Sequence, residues 1–409
     1  MRVAIIAGGK GTRIAEHYPN IPKPMIPLNG KPLLQHQIEM LVSQGFREIT
    51  LIVGYKAEII ENYFNDGSKY GAFIDYIKED VPLDTGGALS LLPKENTLIL
   101  LGDVYCDIDV NRLIAYHENK SASITLFVHP NNHPHDSDIV VTNADGKVKN
   151  WISKKDTNRT DFRNLTNAGI YVINGDVLPQ GATIRRNLNR EIVIPEIHEG
   201  NVYAYRSTEY VKDMGTIDRL KQVESDIIRG ITFARSLKNK QKAIFLDRDG
   251  TINVFDGLIT NPNQLKLMDG AAEAIRYINH SDYLAICITN QPVIARGDIT
   301  FEQLDTIHAR LDSLLGENGA YLDDLLFCPH HPDRGFKGER IEYKINCTCR
   351  KPKPGLLIQA AEKYNIDLSK SYMIGDSDKD VQAGQAVGCQ SILIQNKMSI
   401  LDVIKAFLH

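Results

Sequence analysis

Between Asp218 and Gln241 the chain is polar, charged and helix-forming, and no strand signal returns until the apolar run Ala243-Ile244-Phe245-Leu246. On each side of this gap short β-rich apolar runs alternate with amphipathic stretches, the grammar of an α/β fold with a mostly parallel sheet. Before it, strands are expected near 2–7, 48–53, 97–101, 122–128, 139–142 and 169–173, with helices near 31–44 and 56–64. After it, strands are expected near 243–247, 284–289, 372–375 and 391–394. A single core stops growing at roughly 250 to 300 residues, so 409 residues accommodate two. The expected division is a domain at 1–230, a linker at 231–241 and a domain at 242–409.

Charge narrows the partners. With 47 basic against 51 acidic residues there is no broad positive field for nucleic acid or an anionic membrane, so small molecules are expected and homo-oligomerisation is left open. The apolar run Val3–Ala7 begins almost at Met1 and is far too short for a signal peptide or a membrane span, which predicts a cytoplasmic protein. Of the six cysteines, Cys328, Cys347 and Cys349 cluster while Cys106, Cys287 and Cys389 are scattered. That suits a reduced compartment with one metal site and no disulfides.

In the first half, Ala7-Gly8-Gly9-Lys10-Gly11-Thr12-Arg13 follows a strand, where glycines let backbone N–H groups approach phosphate oxygens. It is neither a Walker loop nor GxGxxG, and alone it is also what a plain glycine turn looks like. Arg13 and Lys23 add two cations, the lysine between Pro22 and Pro24, which restrict its backbone. Asp84-Thr85-Gly86-Gly87-Ala88 is a second close-approach turn, and Asp103 ends the run Leu98–Gly102 where a magnesium ligand would sit. His129, His133 and His135 lie among Pro and Asn and are read as a solvated loop.

These motifs, with NAGIY at 167–171 and KDMGT at 212–216, resemble the sugar-phosphate nucleotidyltransferase family over most of 1 to about 225. The resemblance implies a Rossmann-like sheet on which a sugar 1-phosphate oxygen attacks an α-phosphorus and expels pyrophosphate. It implies that Arg13 and Lys23 stabilise the triphosphate, that Gly8, Gly9, Gly11, Thr12 and Gly86 contact the nucleotide, and that Asp103 and Asp213 hold magnesium. Asn167, Gly169 and Lys154 would contact the sugar; many members carry Glu-Lys where this chain reads Ser153-Lys154. Within the family the glycine-rich start and the turn after Pro82 look most like guanylyltransferases acting on D-glycero-D-manno-heptose 1-phosphate.

In the second half, the strand ending at Leu246 runs into Asp247-Arg248-Asp249-Gly250-Thr251, two carboxylates that can face one site. The first can attack phosphorus, and the second can protonate the leaving oxygen and then activate water. Thr289, Lys351 and Asp376, with Asp378 and Asp380 beyond, supply the cation and metal-ligand candidates such an attack needs. Over about 242–396 this resembles the haloacid-dehalogenase phosphatases. The resemblance implies a Rossmannoid sheet, Asp247 as nucleophile, Asp249 as acid/base, and Thr289 and Lys351 around the phosphoryl group, with Lys353 as the rival lysine. It also implies magnesium on Asp247, the Asp249 carbonyl and Asp376.

Cys328-Pro329-His330 and Cys347-Thr348-Cys349 make four N/S ligands, with His331 as the alternative to His330. Four protein ligands leave no open position, so a zinc there is structural. With Thr289-Asn290-Gln291 and Ile294–Gly297, this loop looks like the D-glycero-D-manno-heptose 1,7-bisphosphate 7-phosphatases, a pattern shared by histidinol-phosphate phosphatases. Arg296 and Arg350 are candidate contacts for a distal sugar phosphate. Competing readings are a hexose 1-phosphate or other-nucleotide transferase fused to an unrelated phosphatase, and a catalytically silent half.

Overall fold

The computed structural model describes residues 1–9, 11, 17–395 and 398–408. The chain forms two compact units. The first takes Met1–His129, Val140–Trp151 and Asn167–Lys238; the second takes Asn239–His409 together with Pro130–Ile139 and Ile152–Thr166. The two short stretches extend the second unit beyond the expected 242–409, and the helix Phe301–Glu317 explains why. Its Asp312 is buried and is satisfied by Arg163 Nε at 2.9 Å and Asn164 N at 3.1 Å, while its Ser313 Oγ accepts from Phe162 N at 3.2 Å. His135 belongs to the same stretches: its ring packs edge-on against Phe162 and its Nε2 meets Ser313 O at 3.3 Å, so it is not simply solvated.

In the first unit Arg2–Ile6, Glu48–Val53, Phe73–Lys78 and Thr97–Leu101 pair in parallel, in the order Phe73, Glu48, Arg2, Thr97 across a nine-stranded sheet. Thr166–Ile173 joins antiparallel beside Thr97–Leu101. Strand order reverses between Arg2–Ile6 and Thr97–Leu101. Such a switch point opens a crevice beyond the carboxyl ends of both strands, which is where Gly8 and Asp103 emerge.

The second unit repeats this logic with five parallel strands in the order Asp324–Cys328, Tyr283–Asn290, Lys242–Leu246, Tyr372–Gly375, Gln390–Leu393. Order reverses at Lys242–Leu246, so Asp247 and Asp376 leave adjacent strands at one edge. Both sheets are covered by apolar clusters, among them Val3, Ile5, Leu51 and Leu100 in the first and Ile244, Leu246, Ala285 and Ile374 in the second. Such near-continuous apolar strands are what a parallel sheet covered on both faces requires. No helix among the described residues is long and apolar enough to cross a membrane.

Candidate active sites

The first unit holds a cavity of about 680 Å³ lined by Gly8, Gly9, Gly11, Lys23, Glu79, Thr85 and Asp103, among others. Its glycines are sterically required. A Cβ on Gly8 would lie 2.5 Å from Glu79 Oε2, and Gly11 has φ +60 with the Lys23 side chain 2.9 Å from the same imagined atom. Lys23 is held on a short turn, Lys23–Met25, and its Nζ donates to Asp103 Oδ2 at 2.6 Å. Asp213 ends a strand paired with Val104–Asp107, opposite Val104, and Met214 N donates to Asp103 O at 2.9 Å. The two expected magnesium aspartates thus occupy neighbouring ladder positions, each engaged by a cation: Lys23 on Asp103 and Arg219 on Asp213.

Other expected positions fall differently. Gly86 packs against the Arg186–Leu188 backbone, donating to Arg186 O at 2.8 Å, and it is Thr85 that faces the cavity. Asn167 Nδ2 donates to Tyr171 Oη at 2.7 Å and meets Asn189 Oδ1 at 3.3 Å, while Gly169, at φ +76, lies against Leu101 of the cavity wall. Lys154 is not among the cavity-lining residues; it pairs with Asp136 at 3.3 Å within the second unit. Thr12 and Arg13 lie outside the described residues. Sequence reasoning missed Glu79, whose Oε1 is buried without a hydrogen-bond partner and whose carboxyl is pushed up to about 7 by burial.

In the second unit Asp247, Asp376 and Asp380 bring carboxylate oxygens within 4.8 Å of one another. Lys351 Nζ stands 2.6 Å from Asp247 and 2.5 Å from Asp380, close enough for ion pairing though out of line for directed hydrogen bonds. Burial pushes the Asp247 carboxyl up, and Lys351 pulls against it. Asn290 clamps the Lys351 backbone in both directions, at 3.0 and 3.1 Å. Lys353 instead donates to Asn346 Oδ1 and Cys347 O, so of the two lysines it is Lys351 that meets the carboxylate cluster. Gly250 is again a close approach: a Cβ there would lie 2.0 Å from Asp376 Oδ2. Three carboxylates against one ammonium leave surplus negative charge, which fits a hard divalent cation such as magnesium. The Asp249 carboxylate is not in this cluster, and Asp380, named from the sequence only as a carboxylate beyond Asp376, is. Its other oxygen accepts from Ser377 N at 3.1 Å and Ser377 Oγ at 2.8 Å, capping the helix that follows.

Cys328, His330, Cys347 and Cys349 converge, with Cys349 Sγ 3.3 Å from both Cys328 and Cys347 and 3.4 Å from His330 Nδ1. Ligand edges of a tetrahedral zinc–thiolate site are about 3.7 Å, so the donor set fits zinc with slight expansion. The Cys328 bond pulls the Cys349 thiol down to about 5 and the same bond pushes Cys328 up, so these thiols do not hold independent protons. His331 turns away to Asp333. Arg350 donates to His330 O at 3.1 Å and Arg296 pairs with Asp298 at 2.9 Å.

A family model described as nucleotidyl transferase matches residues 2–230. The chain belongs to that family. A second model, HAD-hydrolase-like, matches 348–399. Over 144 residues the chain is 43% identical to the D-glycero-β-D-manno-heptose-1,7-bisphosphate 7-phosphatase of Yersinia pestis, covering 35% of this chain and 74% of that protein. Over 270 residues it is 30% identical to the mannose-1-phosphate guanylyltransferase of Mycobacterium tuberculosis, covering 64% of this chain and 72% of that protein. A solved D,D-heptose 1,7-bisphosphate phosphatase from B. bronchiseptica, complexed with magnesium and phosphate, is 32% identical with a TM-score of 0.34, covering 41% of this chain and 86% of that one. This chain is therefore a transferase and a phosphomonoesterase in one polypeptide, a fusion suited to sugar-nucleotide biosynthesis.

Proposed function

We propose that the chain removes the 7-phosphate of D-glycero-D-manno-heptose 1,7-bisphosphate and then transfers GMP from GTP to the resulting heptose 1-phosphate, giving GDP-heptose and pyrophosphate. The observation that carries this reading is the covalent pairing of a unit 43% identical to a heptose-bisphosphate 7-phosphatase with a nucleotidyltransferase. The product of one is the substrate class of the other.

In the phosphatase step an Asp247 oxygen attacks phosphorus, the phosphorus–O7 bond breaks, and Asp249 gives its proton to O7. Water, losing its proton to Asp249, then attacks the aspartyl-phosphate and frees inorganic phosphate and Asp247. Lys351 and Thr289 hold the phosphoryl oxygens. Magnesium on Asp247, Asp376 and Asp380 would supply charge neutralisation for attack by one anion on another. In the transferase step, Lys23 and the glycine backbone hold the triphosphate in line for the sugar phosphate oxygen, so the chemistry is positioning and charge stabilisation.

The choice of GTP is supported by the likeness to a mannose-1-phosphate guanylyltransferase. Pyrophosphate release measured with heptose 1-phosphate against GTP, CTP, ATP and UTP tests the reading, with mannose 1-phosphate as the competing sugar. GTP with heptose 1-phosphate should lead by at least tenfold, an order-of-magnitude expectation for one missing or repelled hydrogen bond. A preference for another base or for mannose 1-phosphate would replace it.

A further inference from the structure

Asp249 is gripped rather than free. Arg248, the residue between the two aspartates, has a fully buried side chain whose Nε lies 3.1 Å from Asp249 Oδ1 and whose Nη2 lies 2.9 Å from both carboxylate oxygens. Asn253 Nδ2 adds a bond to Oδ1 at 3.1 Å, and Gln291 Nε2 one to Oδ2 at 2.9 Å. A guanidinium in the core needs a counter-charge, and among the described residues Asp249 is the carboxylate paired with Arg248. The nearby His308 cannot serve: burial, then Arg248 itself, hold its imidazole well below the usual range, and it carries no negative charge in any state.

The same residue touches the nucleophile. Arg248 N donates to Asp247 Oδ1 at 2.7 Å, and Arg248 O accepts from Ile252 N and Asn253 N at 2.9 Å each, so its backbone is fixed as firmly as its side chain. A planar fork held at both ends defines the plane of the carboxylate it grips. Without it Asp249 would keep two neutral amide donors and could turn about its own side-chain bonds. Gln291 Nε2 also donates to Thr289 Oγ1 at 2.9 Å, which links the aimed carboxylate to the residue beside the phosphoryl group.

We propose that Arg248 is a positioning residue of the phosphatase, fixing the direction from which Asp249 delivers its proton to the leaving oxygen. This rests on the reading of Asp249 as the acid/base. Arg248 makes no contact with substrate in this role.

Leaving-group dependence separates aim from fold. An alkyl phosphate must have its departing oxygen protonated, whereas p-nitrophenyl phosphate releases a stable phenolate without help. In the full-length chain with magnesium, Arg248→Met should lower kcat/KM for the sugar bisphosphate by about 100-fold, the scale of positioned acid catalysis, and for p-nitrophenyl phosphate by less than about threefold. Nucleotidyl transfer should be unchanged. Arg248→Lys keeps the charge but not the fork and should show the same selectivity with about a tenfold loss; it carries the test if the methionine variant does not fold. Equal loss on both substrates, or no loss on either, overturns the inference. Asp249→Asn separates the two readings. If it is selective while Arg248→Met is not, only the role of Arg248 falls; if it is unselective, the acid role of Asp249 falls and this inference with it.

Discussion

At the scale of single residues, the charges of the phosphatase site are arranged so that one buried cation answers two buried carboxylates. Lys351 is 3% exposed, and Asp247 and Asp380, both buried, raise its pKa against the effect of desolvation. Replacing it with methionine leaves both carboxylates without their ammonium. Breaking a buried pair in this way costs about 3–5 kcal/mol, so Lys351→Met should destabilise the second unit by that order in magnesium-free urea titrations. The loss should grow as pH rises, because protonation relieves the repulsion at low pH. An unchanged midpoint would mean that water already screens the site. In the first unit the sign is set by acids pushed upward: burial raises Glu79 and Glu209 from 4.5 to about 7. Between those values the folded chain holds protons that the unfolded chain has released, so their contribution makes stability fall as pH rises through that window. Glu79→Gln with Glu209→Gln should flatten this slope in denaturant midpoints taken at the two ends of the window.

At the scale of elements, a zinc on Cys328, His330, Cys347 and Cys349 would do the work of a secondary structure that the loop between them does not have. The stretch from Pro329 to Arg350 contains only one short 3-10 turn, Ile341–Tyr343, yet it leads directly to Lys351. We expect one tightly bound zinc per chain, and Cys347→Ser with Cys349→Ser should abolish phosphate release while nucleotidyl transfer survives. Elemental analysis of protein purified without chelator checks the first claim, and paired activity assays the second. The Cys-x-His and Cys-x-Cys pairs were legible because short spacing makes neighbours in space out of neighbours in sequence. The same holds for Asp247 and for the buried strands that carry it. Phe73–Lys78 carries little strand signal in the sequence: it pairs on one side only, at an edge, and mixes Asp75 and Lys78 into its apolar positions. Glu79, just beyond it, was lost with it. Arg219 and Arg248 were missed, and Asp380 was given no role of its own, for another reason. Each is an ordinary charged residue whose partner is chosen by the fold. Arg163 belongs with them, since nothing in its own surroundings announces the buried Asp312 on a helix 149 positions away.

At the scale of the whole molecule, the two motif sets share no residue and sit at the switch points of two separate sheets, so each activity should be removable alone. Asp247→Asn should abolish phosphate release only, and Asp103→Asn nucleotidyl transfer only. If the substrate is the proposed heptose bisphosphate, their order follows from the sugar. The bisphosphate carries a primary monoester at C7 and an anomeric phosphate at C1, and the transferase requires the second as its nucleophile. To accept the bisphosphate directly, the transferase would have to take the 7-phosphate dianion out of water, and without a dedicated cation that costs on the order of several kcal/mol. The intact chain, given bisphosphate, GTP and magnesium, should therefore release phosphate first and form GDP-heptose second. With Asp247→Asn the same mixture should stall, and adding a separate active phosphatase should restore GDP-heptose. Rapid formation of a 7-phosphorylated GDP-heptose by the Asp247→Asn chain would reverse the order, and would mean that the sugar side of the transferase carries a phosphate site of its own.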